Sequence, residues 1–142
     1  MRFFSNTVLI MLFISLFLLQ KTSAQEPEPA GRDSLAVLWT SADPDVAKKV
    51  CLMYTHGAKK AGWFKTVHLI VWGPSAKLLA ENEELQAKIK EMKKDGIRVE
   101  ACVVCADSYN VSDTLREIGV DVIPMGRPLT GYLKNGWRTL TF

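Results

Sequence analysis

The chain alternates between short, almost unbroken apolar runs and longer stretches in which apolar residues return every three or four positions. LAVLW at 35–39 and TVHLIVW at 66–72 are runs of the first kind, and strands buried on both faces of a parallel sheet read this way. Asp43 followed by Pro44 marks a helix start, a side-chain cap and then proline in the first turn. Val46, Val50, Met53, Tyr54 and Gly57 follow at helical spacing, and Gly62 supplies a stop. A second helical stretch covers about 75–95, interrupted near Glu81-Asn82. Its second half places Leu85, Ile89 and Met92 on one stripe, with Glu84 and Lys88 at i,i+4 on the wet side, and Gly96 ends it. IRVEACVV at 97–104 predicts a third strand, VSDTLREIG at 111–119 a short helix opened by Ser112, VDVIP at 120–124 a fourth strand and WRTLTF at 137–142 a fifth. Strands alternating with helices predict an α/β domain, a three-layer α/β/α sandwich with a mostly parallel five-stranded sheet.

The N-terminus follows another pattern. Arg2 precedes an apolar run at 8–19 and a polar stretch that ends in Thr22-Ser23-Ala24, the plan of a secretory signal. As a helix that run would extend only about 18 Å, against a hydrocarbon core of about 30 Å. The reading is therefore a cleaved signal at 1–24, a flexible polar leader at 25–34 (QEPEPAGRDS) and one domain at 35–142, exported to a periplasm or secreted, with no membrane span after cleavage. Charge changes accordingly: 18 basic residues fall to 16 when Arg2 and Lys21 are removed, against 15 acidic ones. No basic stripe with interleaved aromatics is left, so nucleic acid is not an expected partner.

In open parallel sheets, functional groups gather in the loops after the carboxyl ends of the strands. Those loops are 40–43, 73–75, 102–109 and 124–127, and the third holds two of the three cysteines, Cys102 and Cys105. Were residues 101–105 all extended, the two Cα atoms would stand about 10 Å apart, beyond the roughly 7 Å limit for a bridge. A disulfide therefore requires a turn immediately after Cys102. A structural zinc needs four ligands, and one cysteine pair alone does not make a site; His56 reads as a helix-surface residue and His68 as a hydrogen-bonded core histidine, so no metal is expected. The C-x-x-C spacing fits a thioredoxin-like motif, except that the second cysteine there lies in a helix opened by the first, whereas the helix signal here waits until Ser112. Cys51 reads as a small buried hydrophobe. WTSADP at 39–44 has no glycine with which to wrap a phosphate, so no nucleotide cofactor is expected. Trp39 and Trp72 end neighbouring strands and are candidates both for cleft walls and for core packing.

LAVLWTSADP, VHLIVWGPSAKLL, GIRVEACVVCADSYNVSDTLREIGVDVIPMG and the closing GWRTLTF together resemble the DsrE/DsrF-like family across the whole domain at 35–142. The resemblance implies a three-layer α/β/α sandwich that assembles as a homo-oligomer, trimer or hexamer. It also implies a sulfurtransferase-like carrier in which the strand-end cysteine, here Cys102, accepts a sulfane sulfur as a persulfide, with Cys105 as its neighbour. A sulfur donor or acceptor, protein or small compound, is the implied partner. The chemistry is compatible: the thiolate is the nucleophile, a following helix and a cation such as Arg127 would favour it, and a second thiol can resolve a persulfide. Two other readings stand beside it, a non-catalytic oligomeric binding or structural subunit and a thiol–disulfide oxidoreductase using Cys102 and Cys105.

Overall fold

The computed structural model describes residues 31–142, so the signal at 1–24 and most of the leader lie outside the described residues. The leader's last positions are already part of the domain. Gly31 is buried against the backbone of Asn135, Gly136 and Trp137, so closely that a Cβ would meet the Asn135 carbonyl oxygen at 2.0 Å, and Ser34 opens the first strand.

The described residues form a five-stranded, all-parallel sheet in the order β4-β3-β2-β1-β5, built from β1 (Ser34–Trp39), β2 (Thr66–Val71), β3 (Arg98–Cys102), β4 (Asp121–Ile123) and β5 (Arg138–Thr141). The helices are α1 (residues 44–60), α2 (Pro74–Glu81), α3 (Glu83–Lys94), α4 (Val103–Ser108), α5 (Ser112–Glu117) and α6 (Gly126–Lys134). Strands β1 to β4 step across the sheet in one direction, so right-handed crossovers send α1 to α5 to the same face. The connection from β4 to β5 runs back the other way and carries α6 to the opposite face. Topology alone thus makes one thick layer and one thin one, and the three-layer α/β/α architecture expected from the sequence is present.

The thick layer holds the main core. Val37, Trp39, Leu69, Val71, Val99 and Ala101 point into it from the strands and meet Leu52, Leu79, Leu85, Ile89, Met92 and Leu115 from the helices. Each such valine, leucine, isoleucine or methionine contributes about 1.5–3 kcal/mol of burial. The break expected near Glu81-Asn82 is real: Asn82 leaves the helical conformation, and its side chain accepts the Leu85 amide as the cap of α3. Glu84 pairs with Lys48 of α1, not with Lys88, which turns to Glu91.

Two expectations fail here. The apolar stripe of α1 is displaced by one residue: Val50 and Met53 face solvent, while Ala47, Cys51, Leu52, Thr55, His56 and Ala58 are buried. This helix lies close against the sheet, and mostly small side chains permit that approach. The helix passes through a π-helical turn, Ala47–Cys51, on the way. The third strand also ends at Cys102, not at Val104. Its neighbours have stopped there, β2 at Val71 opposite Ala101 and β4 at Ile123 opposite Cys102, so Val103 and Val104 have no strand to pair with and wind into α4 instead.

Candidate functional site

The early end of β3 decides the geometry of the cysteine pair. Cys102 is the last residue of the strand and the N-cap of α4, and Cys105 lies one turn into that helix. The turn that a bridge requires is therefore present, and the thioredoxin-like relation, a first cysteine opening the helix that carries the second, holds after all. Both thiols are free and line the same cleft as neighbours. Burial pushes the Cys105 thiol up, neighbouring Cys102 adds to that, and the nearby Gly73 backbone N–H opposes it. At neutral pH Cys105 keeps its proton.

The pair lies on the floor of an open cleft of about 440 Å³ at the carboxyl edge of β2, β3 and β4. Trp72, Val104, Pro124, Met125 and Gly126 complete its lining. The turn after β2 is fixed by Ser75, which is fully buried: its hydroxyl donates to the Trp39 and Trp72 carbonyls and accepts the Trp72 amide. That turn sets Trp72 as a wall and presents Gly73, at φ +69°, to Cys105. Cys102 itself is 6% exposed and packs with Ala36, Ile70 and Met125 on the thin face of the sheet. Of the two tryptophans weighed as walls, Trp72 is one and Trp39 belongs to the main core.

Below the cleft, on the same face, lies a polar network that the sequence reading passed over. Glu100, two residues before Cys102, is 1% exposed. The Tyr132 hydroxyl donates to its Oε2 at 2.8 Å, and Arg98 Nε stands 3.2 Å from its Oε1 and 3.3 Å from Asp121 Oδ2. The Tyr132 proton is committed to Glu100, so His68 Nδ1, 3.1 Å from the hydroxyl oxygen, must be the donor to it. Trp137 stacks on Tyr132 at 4.5 Å and meets His68 edge-on at 4.7 Å. Burial pushes the Glu100 carboxyl up, but nearby His68, the Tyr132 hydrogen bond and the Arg98 charge outweigh it, and the carboxyl settles below the ordinary glutamate value. The same carboxylate raises Tyr132, after burial has done so first. Two signals were available: a glutamate in the middle of an apolar strand, and Leu129, Tyr132 and Leu133 at helical spacing in α6.

The other candidates fall into place. Cys51 is buried, and loss of water pushes its thiol up to about 12, with a Thr55 hydrogen bond acting the other way. Asp43 caps α1 by accepting the Asp45 and Val46 amides, so the loop after β1 is a helix start. Arg127 is exposed on α6 and is not among the residues that line the cleft. His68 is hydrogen-bonded within the thin layer, as expected. His56 is not a surface residue: it is 5% exposed, with Nε2 2.6 Å from Asp95 Oδ2 and Nδ1 4.0 Å from Glu91 Oε1. Among the described residues these three are the cluster of side chains spaced to hold a metal ion. Lys88, however, bonds Glu91 at 2.9 Å, and the bond from His56 holds the Asp95 carboxyl below its ordinary value. The cluster reads as an ion-paired clasp between α1 and α3. No helix among the described residues is long and apolar enough to cross a membrane.

Comparison with known proteins agrees with this fold. Among solved structures, the chain is similar to BT1422, a conserved protein of unknown function from Bacteroides thetaiotaomicron. The TM-score is 0.74 and the sequence identity 39%, covering 78% of this chain and 95% of that one. No curated protein matches. The sequence profile of the DsrE/DsrF-like family matches residues 33–142, which takes in all five strands, the cleft and the cysteine pair. The chain belongs to the DsrE/DsrF-like family, and that membership suggests a role in sulfur relay.

Proposed function

We propose that the protein is an exported sulfur carrier, sulfurtransferase-like in its chemistry, that accepts a sulfane sulfur on Cys102. The observation that carries this reading is the cleft at the sheet edge, with Cys102 on its floor and Cys105 beside it. The Cys102 thiolate attacks the outer sulfur of a donor persulfide, R–S–SH. The bond between that sulfur and the donor's inner sulfur breaks, its electron pair leaves as the thiolate RS⁻, and Cys102 becomes Cys102–S–SH. Cys105, which holds its proton, supplies hydrogen bonding while Cys102 attacks. Once deprotonated, it takes the outer sulfur or releases it by forming a disulfide. Incubation with a persulfide donor, followed by peptide mapping, should add about 32 Da to the Cys102 peptide. Sulfur uptake that survives in Cys102→Ser refutes the assignment.

A second reading is favoured by the turn at Cys102. Cys102 caps α4 and Cys105 lies one turn into it, and an exported protein meets oxidising conditions. A loss of about 2 Da that a thiol reductant reverses, with no sulfur adduct from any donor, would make the protein a thiol–disulfide oxidoreductase. We also propose a homo-oligomer, on family grounds and because Leu133, on α6 of the thin layer, and Leu140, on the edge strand β5, are exposed apolar residues. Sedimentation that finds only monomer at micromolar concentration removes that proposal.

A further inference from the structure

We infer that the sulfur donor received by this cleft is a neutral, apolar sulfane compound, an organic polysulfane, and not an anionic donor such as thiosulfate. The inference rests on the carrier reading and names its substrate class. Apart from the two thiols, the residues lining the cleft are Trp72, Val104, Pro124, Met125 and Gly126, and none has a charged, amide or hydroxyl side chain. The volume, about 440 Å³, suits a small organic molecule. An anion that leaves water for such walls loses its hydration and needs a cation or several donors in return.

The surroundings supply no free side-chain cation, and the donors at the rim are the uncapped backbone amides that open α4 and α6. Arg98 is engaged by Glu100 and Asp121, at the far end of β3 from Cys102. Arg127 is exposed on α6 and lies outside the lining. The ionised group nearest Cys102 along its own face of the strand is the Glu100 carboxylate, about 7 Å away in the pleat, and Arg98 balances its charge. A neutral polysulfane has no such hydration to lose, and Trp72, Met125 and Val104 provide apolar contact. With a trisulfide R–S–S–S–R, the Cys102 thiolate attacks the central sulfur and one S–S bond breaks. The electron pair leaves as RS⁻, which takes a proton from water, and Cys102 carries the mixed trisulfide Cys102–S–S–S–R.

Two measurements on the purified protein test this. In the first, three methanethiosulfonates that share a reactive head but carry a methyl, a sulfonatoethyl or a trimethylammonioethyl tail are reacted with the protein. Peptide mapping scores labelling of the Cys102–Cys105 pair, with buried Cys51 as the internal blank, and rates are divided by those for free cysteine. The neutral reagent should exceed the anionic one by about tenfold or more, and Val104→Lys, which sets a cation at the mouth on a 71% exposed position, should cut that ratio at least about threefold. Equal normalised rates, or an anionic rate that falls in Arg127→Ala, overturn the inference. In the second, dibenzyl trisulfide and thiosulfate are offered as sulfur donors. Uptake on Cys102 from the trisulfide supports the inference. Preferred uptake from thiosulfate overturns it while leaving the carrier reading intact, and uptake from neither donor sinks the carrier reading and the inference together.

Discussion

One face of the sheet is roofed by α1 to α5 and the other, among the described residues, by α6. The thick face is apolar and closed: Leu69, Leu79, Ile89 and Met92 are fully buried there. The thin face carries His68, Glu100, Cys102 and Cys105, and α6, which covers it, has no fully buried residue of its own. The lesson is a division of labour imposed by connectivity. Crossovers that advance in one direction stack their helices on one side, so hydrophobic stabilisation concentrates there. Side chains on the other side stay close enough to solvent for chemistry, and a short helix held by hydrogen bonds and stacked rings closes over them.

If the division is real, the largest loss of stability comes from the thick face and leaves the chemistry alone. Leu79→Ala empties a fully buried position of α2 and should cost about 2–5 kcal/mol, read from urea unfolding. Sulfur uptake per folded molecule should match the parent protein. A matching loss of uptake would mean that the two faces do not work separately.

The thin face should break differently. Tyr132→Phe removes a hydrogen bond to a charged partner and leaves both Glu100 and His68 one partner short. Bonds of that kind contribute about 1.5–3 kcal/mol. Amide exchange should quicken in α6 and β5 and stay slow in α1 to α3; exchange that quickens everywhere would show that α6 is not a separate latch. Acid should act at the same place. The folded carboxyl of Glu100 lies below its ordinary 4.5, so the network contributes in full above about pH 4.5 and is lost as pH falls through the depressed value. Asp95, on the thick face, is lowered as well by its bond to His56, so the whole molecule weakens in acid. The difference between the parent protein and Glu100→Gln isolates the thin face: α6 protection should drop below pH 4.5 in the first and change less in the second.

The two faces also differed in how far the sequence disclosed them. Residues 35–39 and 66–72 announce themselves because both of their faces are covered, and Asn82 announces a cap because its side chain can bond a free amide. The phase of α1 was hidden: large Val50 and Met53 drew the stripe toward themselves, while close packing on the sheet selected Ala47, Cys51 and Ala58. His56 was missed by the same shift. The end of β3 was hidden because Val103 and Val104 favour strands, and what stops the strand is the length of its neighbours, a fact of topology. α6 was hidden by Gly126, Pro128 and Gly131, poor helix formers whose helix is held in place by Tyr132 and its partners. Cys102 was legible as the strand-end thiol. Its closeness to Cys105 depended on the turn that the sequence concealed.

The smallest expected effect concerns the loop where the thick face reaches toward the site. Gly73 joins β2 to α2 at φ +69° and ψ −134°, a conformation that side chains other than hydrogen rarely adopt. An added Cβ would meet nothing within 4 Å, so Gly73→Ala tests backbone strain without steric collision. The cost should be about 1–2 kcal/mol, below that of Leu79→Ala. The informative readout is chemical. The Gly73 N–H lies near the Cys105 sulfur and helps hold that thiol below where burial alone would set it. If alanine relaxes the strain by rotating the peptide, the N–H leaves the sulfur, and the pH at which Cys105 alkylates should move upward. A loss of stability with no such movement would mean that the amide stays in place and the strain is absorbed elsewhere in the turn. A movement with no loss of stability would mean that this turn serves the thiols and does nothing for the fold.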